Sequence, residues 1–558
     1  MKILMAASEA VPFAKTGGLA DMVSALSLAL AKQGHEVRIV IPRYYSINID
    51  KLKLEALEGP MGVPMGGGEE WCKVYTGFLP GKGSEPTPKP KAEVPLRVNA
   101  SGKKAEETKT GKTKAGSTKS SEKKPGSIKD SIIKTSEKKA SEKKPAGENP
   151  VKIYFIDHEN FFGRDGVYGV PSEPDFLDNP RRYTFFCRSV FQLCKKINWY
   201  PDLLHAHDWP SALVPVFLKY GERYGAFSKT VSVLTIHNLG YQGVYGKDNF
   251  YATGLGWDTF YNAGFEDWNM MNLLKAGICS ADMINTVSPN YMEETKTTAY
   301  GFRMDGILRS RGTDYRGILN GIDTEIWNPE KDPLVPMPYS AKNMEGKAKA
   351  KEVLQKEFGL PPSPETPVIG LISRLTGQKG VGELFGPAYG SAFPICRDMN
   401  LQFIILGSGE AWCENEIRCL AGKLSNLKAE IGYDEKTSHL IEAGSDFFLM
   451  PSRYEPCGLN QMYSLVYGTI PIVRNTGGLV DTVENFDQET GKGTGFIFDD
   501  LTPQAIYNTV GWAIWAYYNR RLHVEKMRIR GMKKDFSWDK SAREYLKMYE
   551  EARGKLGY

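Results

Sequence analysis

What most limits how this chain can fold is an alternation that runs through both of its halves: a short apolar run, a glycine-bearing turn, then a longer helical stretch. Lys2–Ala7 is such a run. It is followed by a loop holding Gly17 and Gly18, an apolar-rich stretch from Ala20 to Lys32 stopped by Gly34, and a second run at Val37–Pro42. The pattern returns with Val368–Ser373, Gln402–Leu406, Phe447–Pro451, Ile470–Val473 and Gly495–Phe498. Continuous apolar strands separated by helices suit parallel sheets, because a parallel crossover needs a helix and the helices then bury both faces of the sheet. At 558 residues the chain is too long for one hydrophobic core. The spacing therefore predicts two doubly wound α/β domains, residues 1–332 and 340–530, joined through the Pro-rich stretch Asn328–Pro338. Ligands of such sheets sit beyond the carboxyl ends of the strands, so the chemistry is expected in those loops.

Charge would suggest a nucleic-acid partner only if it lay on the folded body. The whole chain carries +5, yet residues 81–150 hold 18 Lys and Arg against 9 Asp and Glu, which leaves −4 for the rest. Nucleic acid is thereby excluded as the expected partner. The 81–150 segment repeats Ser-Glu-Lys-Lys at 121–124, 136–139 and 141–144 and contains no aromatic residue. Its composition predicts a disordered insertion in a surface loop, since it cannot bury enough apolar surface to offset its conformational entropy. A tether for an acidic partner is the other reading of so basic a stretch. No apolar run is long enough to span a membrane, and Ile3–Ala7 is too short for a secretory segment. Eight cysteines without a CxxC pair read as reduced thiols, and the expected location is the cytoplasm.

Two Gly-Gly loops occupy equivalent places in the two halves. Lys15-Thr16-Gly17-Gly18 and Thr476-Gly477-Gly478 each lie between a strand and a helix, where glycine lets the backbone approach a ligand and helix amides can face an anion. Each alone is equally a plain strand-to-helix turn. Ser373–Gly380 places Arg374 and Lys379 at a strand end, a pair suited to the growing charge of a diphosphate leaving group or, on the blander reading, a solvated basic loop. Glu455, in Pro451–Leu459, stands before a helix, either to bind sugar hydroxyls and offset oxocarbenium-like charge or to cap that helix. His205-Ala206-His207-Asp208-Trp209 and Thr235-Ile236-His237-Asn238 both follow apolar strands. Without a third ligand at a recognisable spacing they do not make a zinc site, and no metal is expected. Trp209, Tyr241 and Tyr245 are candidates for sugar-facing rings or for packed core.

Taken in order, these motifs resemble the bacterial glycogen synthase and plant starch synthase family. The likeness starts at Glu9–Asp21, runs through the two histidine motifs, Tyr241-Gln242-Gly243, Asn320–Asp323, the Arg374–Lys379 loop, the Glu455 motif and Arg474–Gly478, and ends at Asp535-Phe536-Ser537-Trp538. It implies a GT-B fold, two Rossmann-like domains facing a cleft, with residues 531–558 forming a helix that packs back on the first. It also implies retaining transfer of glucose from ADP-glucose to the non-reducing end of an α-1,4-glucan, without cofactor or metal. On the matching motifs, Arg374 and Lys379 would hold the diphosphate and Glu455 would meet the transferred glucose. Lys15, Gly17 and Gly18 would line the phosphate and sugar site with Thr476, Gly477 and Gly478; His207, His237 and Asn238 would lie near the sugar. Tyr433 would stack on adenine, and Asp178 would supply a sugar-side carboxylate. Two departures stand out: Pro210 replaces a histidine common in the motif, and Tyr463 occupies the place of the second glutamate of a wider transferase group. A sugar-binding protein that had lost its chemistry would lack Arg374, Lys379 or Glu455, and all three are present. UDP-glucose is the alternative donor.

Overall fold

The computed structural model describes residues 1–80 and 149–557, and the expected disorder of the insertion falls on residues outside that set. Two sheets carry the architecture. The first is built from β1 (Lys2–Ala6), β2 (Glu36–Pro42), β3 (Glu55–Ala56), β4 (Met61–Met65), β5 (Gly68–Phe78), β6 (Lys152–Asp157), β7 (Leu203–His207) and β8 (Val231–Ile236). A small separate sheet, β9 (Val244–Gly246), β10 (Glu266–Asp267) and β11 (Met270–Asn272), follows before β12 (Met283–Thr286) and β13 (Tyr315–Gly317) complete the first sheet. Its order is β13-β12-β8-β7-β1-β2-β6-β5-β3, with β4 paired to β5. The second sheet holds β14 (Val368–Leu375), β15 (Gln402–Gly409), β16 (Leu427–Ile431), β17 (Phe447–Met450), β18 (Ile470–Arg474) and β19 (Phe496–Phe498). Its order is β16-β15-β14-β17-β18-β19, with every neighbouring pair parallel.

The central strands are buried on both faces, as their unbroken apolar sequences require: Ile3, Met5, Leu203, Val231, Leu234 and Ile284 are all fully buried. The first sheet departs from the all-parallel expectation at one edge, where β5 runs antiparallel to β6, β4 and β3. The reason is visible in β5: Cys72, Val74 and Thr76 point inward while Lys73 and its alternate neighbours stay more exposed, the half-buried pattern of an antiparallel edge. β16 has the same mixed character, Leu-Lys-Ala-Glu-Ile, and sits at the edge of the second sheet.

Among the helices, α1 (Gly18–Lys32) covers the first sheet, and α2 (Pro289–Thr295) and α3 (Gly477–Thr482) meet across the two halves. The last helix, α4 (Trp538–Gly554), returns to the first half, where Trp538, Tyr545, Met548 and Tyr549 join its core. Its entry is fixed by the Ile322 amide donating to the Phe536 carbonyl at 2.8 Å. Among the described residues no helix is long and apolar enough to cross a membrane.

Candidate functional site

A cleft of about 1130 Å³ opens between the carboxyl ends of the two sheets. The first half contributes Glu9, Thr16–Leu19, Asp175, Asp208, His237, Asn238, Tyr241 and Asn320, and the second contributes Arg374, Gln378, Lys379 and the run Glu455–Asn460. The walls approach closely, for a Cβ placed on Gly18 would stand 3.6 Å from Leu459 Cδ1.

On the second-half side, Lys379 follows β14 in a single tight turn and reaches Glu455 Oε2 at 2.6 Å. The same oxygen accepts from Ser452 Oγ at 2.8 Å. Glu455 is therefore no helix cap; it is a nearly buried carboxylate on the wall of the cleft. Arg374 lies exposed at the end of β14 on the same side. Thr476, Gly477 and Gly478 do not line the cleft. They let the start of α3 pack under the Glu455 loop: the Gly478 amide donates to the Glu455 carbonyl at 3.0 Å. A Cβ on Gly477, whose φ is +47°, would meet that carbonyl oxygen at 1.8 Å. The Gly477 amide donates across the halves to Glu294 Oε1 at 2.8 Å.

On the first-half side, the loop 15–18 is shaped by Glu9, which accepts from Thr16 Oγ1 at 2.7 Å, Tyr168 Oη at 2.6 Å and the Thr16 amide. Burial pushes the Glu9 carboxyl up against these bonds. Gly17 and Gly18 line the cleft, whereas Lys15 turns aside to Asp21 at 2.8 Å. His207 is fully buried one layer behind the cleft, with its Nδ1 3.2 Å from His237 Nε2. Burial drives both imidazoles down, His237 to about 3, so both are neutral at physiological pH. Behind them, His205 is held between Thr235 Oγ1 at 2.6 Å and Tyr549 Oη of α4 at 2.7 Å. His237 and Asn238 reach the cleft. Trp209 and Tyr245 line it as well, Trp209 buried against Tyr183 and Tyr168, and Tyr241 is the exposed ring of the three. Asp178 lies away from the cleft, paired with Arg164, and the carboxylate facing the cleft from that segment is Asp175. Tyr433 is an exposed ring just beyond the end of β16.

Sequence reasoning passed over Asp208 and Asn320, although both sit in motifs it singled out. Asp208 adopts φ +55° and its Oδ1 accepts from the His237 amide at 2.7 Å, so it shapes the loop that carries His237 and Asn238. Burial raises its pKa to about 7. Asn320 turns a buried Oδ1 without a protein partner beside the cleft. The signal for Asp208 was its place directly after a strand and next to two histidines; attention went to the imidazoles instead.

Two α/β sheets facing one cleft, with cations and a carboxylate at the strand ends on one side and glycine amides on the other, define a sugar-transferring enzyme of the GT-B type. A family description of the starch synthase catalytic domain matches residues 2–84 and 106–310, and one of the glycosyl transferases group 1 matches 355–521. The chain is 51% identical over 552 residues to a glycogen synthase of Treponema denticola, covering 99% of this chain and 98% of that one. It is 40% identical to glycogen synthase 1 of Geobacter metallireducens, covering 100% and 97%. Among solved structures, the catalytic domain of starch synthase IV from Arabidopsis thaliana, bound to ADP and acarbose, superposes with a TM-score of 0.79 at 27% identity, covering 99% of both chains. The chain belongs to the glycogen and starch synthase family and is a hexosyltransferase of glycogen biosynthesis.

Proposed function

We propose that the enzyme transfers glucose from ADP-glucose to the non-reducing end of an α-1,4-glucan with retention of configuration, in the cytoplasm and without a resident cofactor or metal. The observation that carries this reading is the Lys379–Glu455 pair at 2.6 Å on the cleft wall beside Arg374. As the glycosidic bond of the donor breaks, negative charge grows on the diphosphate and positive charge on the sugar ring. Lys379 and Arg374 stabilise the first, and Glu455 offsets the second. Gly17 and Gly18 amides face the phosphate and sugar, His237 and Asn238 meet sugar hydroxyls, and His207 supports His237 from behind. Tyr433 stacks on adenine. Lys15 releases Asp21 to join the phosphate, and Thr476, Gly477 and Gly478 seat the Glu455 loop. Asp178 acts through Arg164 at the edge of the segment that presents Asp175. Among the described residues the wall that carries Arg374 and Lys379 presents one carboxylate, Glu455, to the transferred sugar, and on this reading the acceptor attacks from the face the phosphate leaves. UDP-glucose is the alternative donor, because stacking on the Tyr433 ring tolerates either base. Glucose incorporation into glycogen, measured side by side from ADP-glucose and UDP-glucose with chelator present, tests the reading. Preference for UDP-glucose or a strict need for added Mg²⁺ would overturn it. The basic 81–150 stretch, outside the described residues, would contact an acidic partner, and pull-down against polyanionic beads with and without that stretch checks this.

A further inference from the structure

Among the described residues seven other than glycine hold a left-handed backbone; Asp208, Phe302 and Arg303 of these line the cleft, and Trp268 and Asn269 form the tip between β10 and β11. Such a conformation is unfavourable for any residue with a Cβ and persists only where the surroundings impose it. Asp208 is explained by its bond to the His237 amide. Trp268 and Asn269 are the two central residues of the hairpin turn from β10 to β11, a geometry that itself calls for positive φ at both, while Phe302 and Arg303 form a second pair; a closed ring of hydrogen bonds ties the two turns together. Arg303 Nη2 donates to Asp267 Oδ2 at 3.2 Å, and Asn272 Nδ2 donates to the same oxygen at 3.0 Å and to Gln242 Oε1 at 2.7 Å. Gln242 Nε2 returns to the Phe302 carbonyl at 3.0 Å. Asp267, Asn272 and Gln242 are all buried, so the ring is a rigid frame. Lys247 Nζ fixes the far side of the tip through Asn269 Oδ1 at 2.7 Å.

What this frame holds in place is an indole that stands mostly in solvent. Trp268, at the tip between β10 and β11, is 81% exposed, and Tyr241 beside the frame is 53% exposed. Arg303 shows 57% of its side chain while lining the cleft. The tip of a two-residue hairpin calls for asparagine or glycine, and folding alone gives no reason to place the largest apolar side chain there, in water.

We propose that this lip is a remote acceptor subsite, in which the Trp268 and Tyr241 ring faces stack on glucose units of the α-1,4-glucan and Arg303 donates to their hydroxyls. The proposal rests on the transfer reading above. The occupant follows from continuity: β11 pairs with β9, and β9 supplies Val244 and Tyr245 to the wall of the cleft that ends at Glu455. A pyranose presents an apolar C–H face to an aromatic ring and a rim of neutral hydroxyls to a fixed donor fork. A subsite removed from the point of transfer is felt only by acceptors long enough to reach it.

The test uses the full chain and compares Trp268→Ala and Trp268→Phe with the wild type on maltotriose, maltoheptaose and glycogen. Trp268→Ala should raise KM for maltoheptaose and glycogen by about two- to tenfold, the scale of one aromatic face, and by clearly less for maltotriose. Trp268→Phe should recover most of the loss. Equal effects on short and long acceptors, or none, would overturn the subsite. Calorimetric titration of maltoheptaose into wild type and Trp268→Ala separates this from the activity: wild-type protein inactive with every nucleotide sugar would sink the transfer reading, while unchanged maltoheptaose affinity in the variant would sink the lip.

Discussion

Lys379 Nζ lies 2.6 Å from Glu455 Oε2, so the protein itself orients the ammonium and its charge is partly answered by the carboxylate. On the transfer reading the donor diphosphate would take over that charge, and more of it as the bond breaks, which would place the contribution of Lys379 in the transition state. Lys379→Ala should lower kcat by about 10²–10³ with a smaller change in KM, the scale for losing one electrostatic stabiliser. Lys379→Arg should restore only part, since a planar fork does not fit the place of a compact ammonium. Steady-state kinetics decides this, and a pure KM effect would remove the residue from the chemistry. Asp208 gives a second prediction. Its folded pKa, about 7, lies above that of an unfolded aspartate, so its contribution to stability is full at low pH and is lost as pH rises through about 7. Asp208→Asn cannot ionise, and its melting temperature relative to wild type should therefore rise between pH 5 and pH 8; a difference independent of pH would count against a buried, raised carboxyl. These two residues show how far the site was legible. Lys379 and Glu455 could be named from sequence because each sits in a strand-end loop whose residue types match a leaving group and a sugar. Asp178 could not be placed, because three residues of helix entry decide whether Asp175 or Asp178 faces the cleft, and the sequence around them, Pro174-Asp175-Phe176-Leu177-Asp178, offers no periodicity to choose by.

At the scale of elements, β5 and β6 show what the sequence concealed. The strands are antiparallel neighbours, Phe78 opposite Lys152, and the Leu79 amide donates to the Val151 carbonyl at 2.9 Å. Their ends are therefore within reach of a short hairpin turn, which needs only two to five residues. Replacing residues 81–148 by an Asn-Gly turn should leave the melting temperature within about 4 °C of wild type, on the order of 1–2 kcal/mol for a chain of this size; a larger fall by calorimetry would show that the stretch stabilises the fold. The central strands were readable because they are buried on both faces and hence apolar throughout. The edge strands β3, β4 and β16 were not, because one exposed face gives them the polar alternation of a loop. The last helix could be expected only from the family likeness, since nothing in its own sequence says which half it joins. Its docking rests on Tyr545 and Tyr549, both fully buried, with the Tyr549 hydroxyl on His205 Nδ1 at 2.7 Å. Tyr549→Phe leaves that nitrogen buried without a donor and should cost about 1–3 kcal/mol. Tyr545→Ala should cost about 3–5 kcal/mol. Chemical denaturation that ranked the two in the reverse order would mean the helix is held by polar contacts and not by packing.

For the whole molecule the question is where the two halves can move. The stretch expected to join them as a free hinge is instead fastened to the second half: Trp327 stacks on His439 and Tyr463 at 3.9 and 3.8 Å, and Asp332 accepts from His439 and Tyr467. The chain crosses between the halves just before it and just before α4, near Gly321 and Phe536, where the Ile322 amide pairs with the Phe536 carbonyl and both residues pack with Val287, Cys457 and Met462 in a small apolar cluster. Beside these crossings the halves are joined by polar contacts as well. Glu294 at the end of α2 takes the Gly477 amide at 2.8 Å and the Thr476 hydroxyl at 3.1 Å, the Asn290 amide donates to Asp481 at 3.0 Å, and Arg474 reaches the Tyr300 hydroxyl at 3.3 Å. Each half keeps its own apolar core, so breaking these contacts opens the cleft without unfolding either side. Glu294 is the member with most partners, and its carboxylate stands where the amides of α3 would otherwise face water. Glu294→Ala should therefore increase the radius of gyration of the ligand-free enzyme in X-ray scattering while leaving its circular dichroism unchanged. Saturating ADP, which bridges the two walls on the transfer reading, should bring the radius back toward the wild-type value. A variant as compact as wild type without ligand would show that the closed arrangement is held by the packing of Leu459 over Gly18, and not by the polar contacts at the start of α3.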